Sequence, residues 1–239
     1  MKISNNYNKL ATKYSKSDHK PDKKYSILPT VLKLAGSLKG KTVMDLGCGD
    51  GFFAKQFSLL GAKHVIGIDK SKKQITLAKK TKDTKISYIL ADIFKDPLPK
   101  ADIINSPFVL NYAQDASGLS QYFQILHKSL NKKGKIILLH DLPNGSNLRK
   151  FGAKKMLTKN TDGAQIKIDL YNQNKHICTL FSTYFKQKTI VKLLKDTKFK
   201  KIKIRHPLIS ADGYRQMGEK FWDGYLDNCE LGYITAEKL

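Results

Sequence analysis

Short apolar runs alternate with amphipathic stretches along the first 140 residues, and the first run breaks into glycines. "GKTVMDLGCGDG", residues 40–51, reads as a strand running into a Gly-rich turn. Apolar residues at helical spacing from Ile27 to Leu38 precede it, and a helix from about Phe52 to Leu60 follows. Then come "AKHVIGID" as a second strand, a Lys-rich helix over Lys72–Lys80, and "ISYILAD" as a third strand. "ADIINS" is the fourth, followed by a helix around Leu119–Leu130, the turn "NKKGK" and a fifth strand, "KIILLH". This βαβαβ order predicts an α/β fold, a doubly wound and mostly parallel sheet covered by helices on both faces.

After Asp141 the pattern changes. "AQIKIDL" and "HICTLFSTYF" alternate around the polar turn "YNQNK", which predicts an antiparallel hairpin inserted over residues 161–185. A helix over Thr189–Asp196 and a strand in "FKKIKIRHP" follow. Phe221, Trp222, Tyr225 and Leu226 stand at helical spacing within a helical insertion spanning 207–230, and "ELGYITAEK" closes the sheet as an antiparallel strand. With 239 residues and 41% apolar content the chain suits a single domain, 1–239, with a polar lead segment over 1–24.

The turn Asp45-Leu46-Gly47-Cys48-Gly49-Asp50-Gly51 lies where a doubly wound sheet binds ligands, at the carboxyl ends of its strands. Its third glycine comes one residue too early for the dinucleotide fingerprint. Asp69 ends "VIGID" and Asp92 ends "YILAD", so two further acids fall at the same edge in strand order. This constellation resembles the class I S-adenosylmethionine-dependent methyltransferases. The resemblance implies a seven-stranded, Rossmann-like sheet with S-adenosylmethionine as cofactor and S-adenosylhomocysteine as its product. It places Gly47, Cys48 and Gly49 at the cofactor, and Asp69, with Lys70 beside it, at the ribose hydroxyls. Asp92 would accept from the adenine amine while the Ile93 N–H meets a ring nitrogen, and Asp45 would orient the turn and reach the methionine amino group through water. A looser resemblance, in "VLNYA", "STYF" and "HPLISADGYRQMGEKFWDGYLDN", is to small-molecule methyltransferases of the toxoflavin-biosynthesis type. It implies that "YNKLATKY" is a lead helix folding over the cofactor, with Tyr7 and Tyr14 near the site. The lead segment, the inserted hairpin and Phe221 to Tyr225 are then expected to form the acceptor lid, since aromatic side chains there suit a planar molecule.

Asn105-Ser106-Pro107-Phe108 raises a rival reading, because an Asn-x-Pro-aromatic tetrad after a strand can hold the amine of a flipped base in nucleic-acid methylation. The charge looks favourable, with 44 Lys plus Arg against 20 Asp plus Glu and a net charge of +24. Yet the arginines, which make the commonest specific base contacts, are only Arg149, Arg205 and Arg215, and the lysines are scattered without a block. The sequence also lacks an aromatic-and-basic platform of the kind single-strand binders use. Asn105 and Ser106 are therefore expected at the cofactor edge, and binding to nucleic acid is expected to be non-specific at most.

Methyl transfer from a sulfonium is an in-line displacement in which alignment does most of the work and no metal is required. A hydroxyl or protonated-nitrogen acceptor benefits from a base. His140 at the end of the fifth strand is the first candidate, with Tyr112 and His19 behind it, while His64, His127 and His176 read as structural. The expected protein methylates an N or O atom of a small molecule. RNA adenine amine methylation and a non-catalytic cofactor-binding subunit are the alternatives. The opening "MKISNNYNKL" shows no signal-peptide pattern and no run suits a membrane span, so a cytoplasmic monomer or homodimer is expected.

Overall fold

The computed structural model describes residues 5–239, so the first four residues of the expected lead segment lie outside the described part. Five strands come first: β1 (Thr42–Leu46), β2 (His64–Asp69), β3 (Ile86–Leu90), β4 (Ala101–Pro107) and β5 (Leu130–Asp141). The strands β6 (Ala153–Leu157), β7 (Gln165–Asn172) and β8 (Lys175–Thr183) form a separate antiparallel sheet in that order. The chain then returns with β9 (Lys200–Arg205) and β10 (Leu231–Glu237) to complete a seven-stranded sheet of order β3-β2-β1-β4-β5-β10-β9. All its pairs are parallel except those of β10, which runs antiparallel to β5 and β9. The expected doubly wound architecture and its final antiparallel strand are what the chain adopts.

Seven α-helices are described: α1 (Tyr7–Tyr14), α2 (Leu28–Ala35), α3 (Phe52–Leu59), α4 (Lys72–Ala78), α5 (Ala116–Ser129), α6 (Gln187–Asp196) and α7 (Ala211–Met217). Period-two alternation sends each strand's apolar residues to both faces. Val43, Ile103, Ile137 and Leu139 pack with Val31 of α2 and with Phe53 and Phe57 of α3. Met44, Leu46, Ile104, Ile136 and Leu138 pack on the other face with Leu119, Phe123 and Leu126 of α5 and with Ile190 and Leu194 of α6. Both faces being covered is the reason the central strands read as continuous apolar runs. The outer strand β9 keeps Lys200, Lys201, Lys203 and Arg205 exposed, a charged edge that discourages further pairing.

Two expectations need correction, and one gains a strand. "NKKGK" is a bulge within β5 rather than a turn before it, since Leu130 already pairs with Ala101 and pairing resumes at Lys135 against Ile103. A Cβ at Gly134 would press on the Asn131 and Asp102 carbonyls, so the glycine is what lets the chain fold back there. The expected antiparallel hairpin forms, turning at Gln173-Asn174, both left-handed, and β7 pairs in addition with β6, a strand not expected from the sequence. Finally, Phe221, Trp222 and Tyr225 pack with Tyr25 and Phe151 in an aromatic cluster of their own. They brace residues 20–27 from behind and leave the walls of the cleft described next to other side chains.

Candidate active site

β1 delivers Asp45 and then the glycine turn to the carboxyl edge of the sheet. Gly47, Gly49 and Gly51 all take left-handed backbone angles. At Gly51 a side chain would also collide with the Tyr88 hydroxyl. The turn is locked from β2: Asp69 accepts from the Gly49 N–H at 3.0 Å and from the Ser71 N–H at 2.8 Å. Burial raises the Asp69 carboxyl while those N–H groups pull it back. Each oxygen keeps a lone pair for a further donor.

This edge forms the first lobe of a cleft. Gly47, Gly49, Asp69, Lys70, Asp92 and Ile93 line it, and so does Gln74. Sequence reasoning missed Gln74, although Ser71-x-x-Gln74 is a capping-box pattern. Ser71 does cap α4 by accepting from the Gln74 N–H, but the Ser71 N–H is spent on Asp69, so the Gln74 amide has no return partner. Both its polar atoms are buried and unpartnered among the described residues. Phe94, stacked on Tyr122 at 5.1 Å, adds an apolar bed beside Ile93. Asp92 accepts from the Phe94 N–H at 3.1 Å.

A second lobe adjoins the first, the two sharing Tyr7, Tyr14, Pro107, Phe108 and Tyr112 as a neck. Phe108 holds a left-handed φ of 63°, an unusual angle for a bulky residue, and its N–H donates to the Leu139 carbonyl at 2.6 Å. The lead helix α1 is the roof. Asn5 pairs with both polar backbone atoms of Phe181 on β8, and Asn8 accepts from the Ser71 hydroxyl at the start of α4. The Tyr7 and Tyr112 hydroxyls are bonded to each other, and Asn5 also donates to Tyr112. Burial pushes all three phenols, Tyr7, Tyr14 and Tyr112, above their ordinary range, so they keep their protons at neutral pH. The floor and far wall of the second lobe come from Ile168, Leu170 and Leu180 of the small sheet and from Phe52 and Phe53 of α3.

The second lobe is also charged, which the sequence did not reveal. Lys155 donates to Asp141 at 2.8 Å and to the Glu230 carbonyl at 2.8 Å, with both side chains of the ion pair more than nine-tenths buried. Lys20 sits beside Asp22, likewise buried. Lys23 is bonded to Asp18 and lies 4.5 Å from the Phe52 ring centre. The two lobes span about 670 and 910 Å³ of empty space, open solvent at the mouth included.

Of the expected residues, Tyr7, Tyr14, Gly47, Cys48, Gly49, Asp69, Lys70, Asp92, Ile93 and Tyr112 line the cleft. Asp45 lies beneath it, fully buried, with Asn105 donating to it at 2.8 Å. Asn105 and Ser106 do not face the cleft: the first is spent on Asp45, and the Ser106 hydroxyl bonds the Tyr122 hydroxyl on the other face of the sheet. His140 is outside it too. Its ring is buried against Gly232, the residue opposite in β10, and burial pushes its pKa down to about 4, so it is neutral and shut away from any acceptor. His19 is exposed and lines neither lobe.

A family model described as "Methyltransferase domain" matches residues 37–197. The chain is 30% identical over 143 residues to malonyl-[acyl-carrier protein] O-methyltransferase of Hamiltonella defensa subsp. Acyrthosiphon pisum, covering 57% of this chain and 53% of that protein. The chain spans about half the length of such curated relatives. Among solved structures, an S-adenosylmethionine-dependent methyltransferase from Mesorhizobium loti superposes with a TM-score of 0.65 at 18% identity, over 93% of this chain and all of the other. A Haemonchus contortus N-methyltransferase holding phosphomonomethylethanolamine and S-adenosylhomocysteine superposes with a TM-score of 0.61 at 16% identity, over 97% of this chain and 57% of the other. These two share the fold. With the matched span covering β1 to α6 and the glycine edge at its centre, the chain belongs to the methyltransferase-domain family, of the class I, S-adenosylmethionine-dependent kind.

Proposed function

We propose that the protein transfers a methyl group from S-adenosylmethionine to an N or O atom of a small molecule. The observation that carries this reading is the two-lobed cleft, whose second lobe is roofed by the chain's own lead helix and walled by its small sheet. A lobe so roofed and walled suits a small molecule. The first lobe fits the cofactor: Asp69 retains acceptor capacity, and the buried Gln74 amide needs a polar partner that the described residues do not provide. S-Adenosylmethionine, when bound, supplies an electrophilic methyl group on a sulfonium.

What the chain contributes is placement. The neck of Tyr7, Phe108 and Tyr112 stands between the lobes, excludes water and limits the line of approach. The phenols of Tyr7 and Tyr112 stay protonated, so they orient by hydrogen bonding and do not take a proton. Asn105 donates to Asp45 and its Oδ1 is buried away from both lobes, which counts against the amine clamp on which the nucleic-acid reading depends. The test is incubation with methyl-labelled S-adenosylmethionine and a cell extract separated into small-molecule, protein and RNA fractions. Label in the small-molecule fraction is expected. Label in RNA overturns the acceptor class, and S-adenosylhomocysteine binding with no labelled product favours a non-catalytic subunit.

A further inference from the structure

The second lobe contains a buried ammonium whose hydrogen-bonding capacity is largely unspent. Lys20 is 6% exposed and lines the lobe. Among the described residues its Nζ meets only the two oxygens of Asp22, at 3.3 and 3.4 Å. Charge-assisted bonds of this kind run about 2.7–2.9 Å, so both contacts are long. Asp22 is meanwhile engaged elsewhere, since its Oδ1 accepts from the Lys23 N–H at 2.6 Å. The Lys20 stem cannot swing away freely. It lies across Gly152, where a Cβ would come within 2.8 Å of Cδ and 2.9 Å of Cβ, and where φ is +126°. Lys155 is close enough to oppose the charge on Lys20, and with two of its three N–H groups given to Asp141 and Glu230 it keeps one for the lobe. Lys20, Lys23 and Lys155 are matched in number by Asp22, Asp50 and Asp141 around the lobe. Asp18, bonded to Lys23, adds a fourth carboxylate, so an anion is called for by the donor N–H groups left over and not by net charge.

A buried donor without an acceptor is costly, and two neighbouring ammonium groups are best completed by one anionic oxygen cluster. We propose that the methyl acceptor carries an anionic group, a carboxylate or a phosphate, seated between Lys20 and Lys155 with the apolar body of the molecule against Ile168, Leu170 and Phe53. This names the substrate class of the methyltransferase site and rests on that reading.

The experiment uses three ligands of like shape, benzoate, phenyl phosphate and benzamide, titrated by calorimetry into the protein saturated with S-adenosylhomocysteine and again without it. At least one anion is expected to bind tenfold or more tighter than benzamide, and the tighter of the two identifies the headgroup. Lys20→Met, which keeps the stem and removes the charge, should reduce that preference to under twofold. Its affinity for S-adenosylhomocysteine reports whether it is folded. Lys20→Met combined with Asp22→Asn, which leaves no unpaired carboxylate, should behave alike and decides the matter if the single variant misfolds. Benzamide binding as well as the anions, no binding of either anion by protein that holds S-adenosylhomocysteine, or a preference that survives both variants would each overturn the proposal. Failure to bind S-adenosylhomocysteine at all would instead strike the methyltransferase reading, and the titrations without it would still show whether the lysine site exists.

Discussion

Asp45→Asn should stabilise the protein at pH 8 while weakening its hold on S-adenosylhomocysteine. The Asp45 side chain is fully buried; its Oδ1 accepts from Asn105 at 2.8 Å and its Oδ2 has no partner among the described residues. Burial pushes the carboxyl up to about 7, against the opposing pull of the Asn105 bond, the Lys23 charge and the Ala54 N–H. A carboxyl whose folded value lies above its unfolded one favours the fold fully below about pH 4, and that contribution is lost as pH rises through the folded value. Across about three pH units at about 1.4 kcal/mol each, the loss by pH 8 is about 4 kcal/mol, with about 2 kcal/mol as a conservative expectation. Asparagine is nearly isosteric and does not ionise, and its amide can donate to the unpartnered Asn105 Oδ1. Urea unfolding at pH 5, 6.5 and 8 should therefore show a gap in favour of the variant that widens with pH. Calorimetry at pH 8 should show about tenfold weaker binding of S-adenosylhomocysteine, because the negative charge beneath the glycine turn is gone, a loss of about 1.4 kcal/mol. A stability difference that is the same at all three pH values, or a variant less stable at pH 8, would refute the titration of Asp45.

Asp69→Ala and Asp92→Ala should each weaken S-adenosylhomocysteine binding by about 1–3 kcal/mol, and calorimetry showing unchanged affinity in both would remove the cofactor from the first lobe. Asp69→Ala should be the worse of the two, since it also frees the Gly49 and Ser71 N–H groups that hold the turn. Tyr112→Phe removes the hydroxyl to which Tyr7 and Asn5 are both bonded, so amide exchange across residues 5–14 should quicken by about 5- to 160-fold for two lost bonds of about 0.5–1.5 kcal/mol each. Unchanged exchange there would mean that α1 is held by its packing on the small sheet alone.

The frame and the first lobe were legible because their signals are local. Strand periods and the glycine turn fixed the order of β1 to β5, and in a parallel sheet the ends of successive strands reach one edge, so Asp69 and Asp92 could be placed from sequence position alone. The charged wall was not legible. Lys20 and Lys155 are two among 41 lysines, and their burial depends on distant partners such as Glu230, which is 75 residues from Lys155. Lys155 also hid its own strand: in Ala153–Leu157 it occupies the inward register between Ala153 and Leu157, where a lysine erases the apolar alternation that marks a strand. His140 misled for a related reason. It ends β5 as expected, yet of His140 and Asp141 it is Asp141 that lines the second lobe, while His140 turns onto Gly232.

Register also decides what Asn105-Ser106-Pro107-Phe108 can do. Asn105 lies two residues inside the end of β4, directly opposite Asp45 of β1, and side chains so paired share a face, which is why the amide reaches the carboxylate and not the cleft. Ser106 alternates to the other face and meets Tyr122. To hold the amine of a base, Asn105 would have to deprive Asp45 of its side-chain hydrogen-bond partner in a dry interior, at a cost of about 1–3 kcal/mol, and break out of a ladder bonded on both sides. Only past the strand does the chain come free. Pro107 ends the strand and Phe108, in its left-handed conformation, joins Tyr7 and Tyr112 around the neck. The same four residues that could have gripped a flipped base thus supply a buried prop for the glycine turn and, at Pro107 and Phe108, part of the neck between the two lobes.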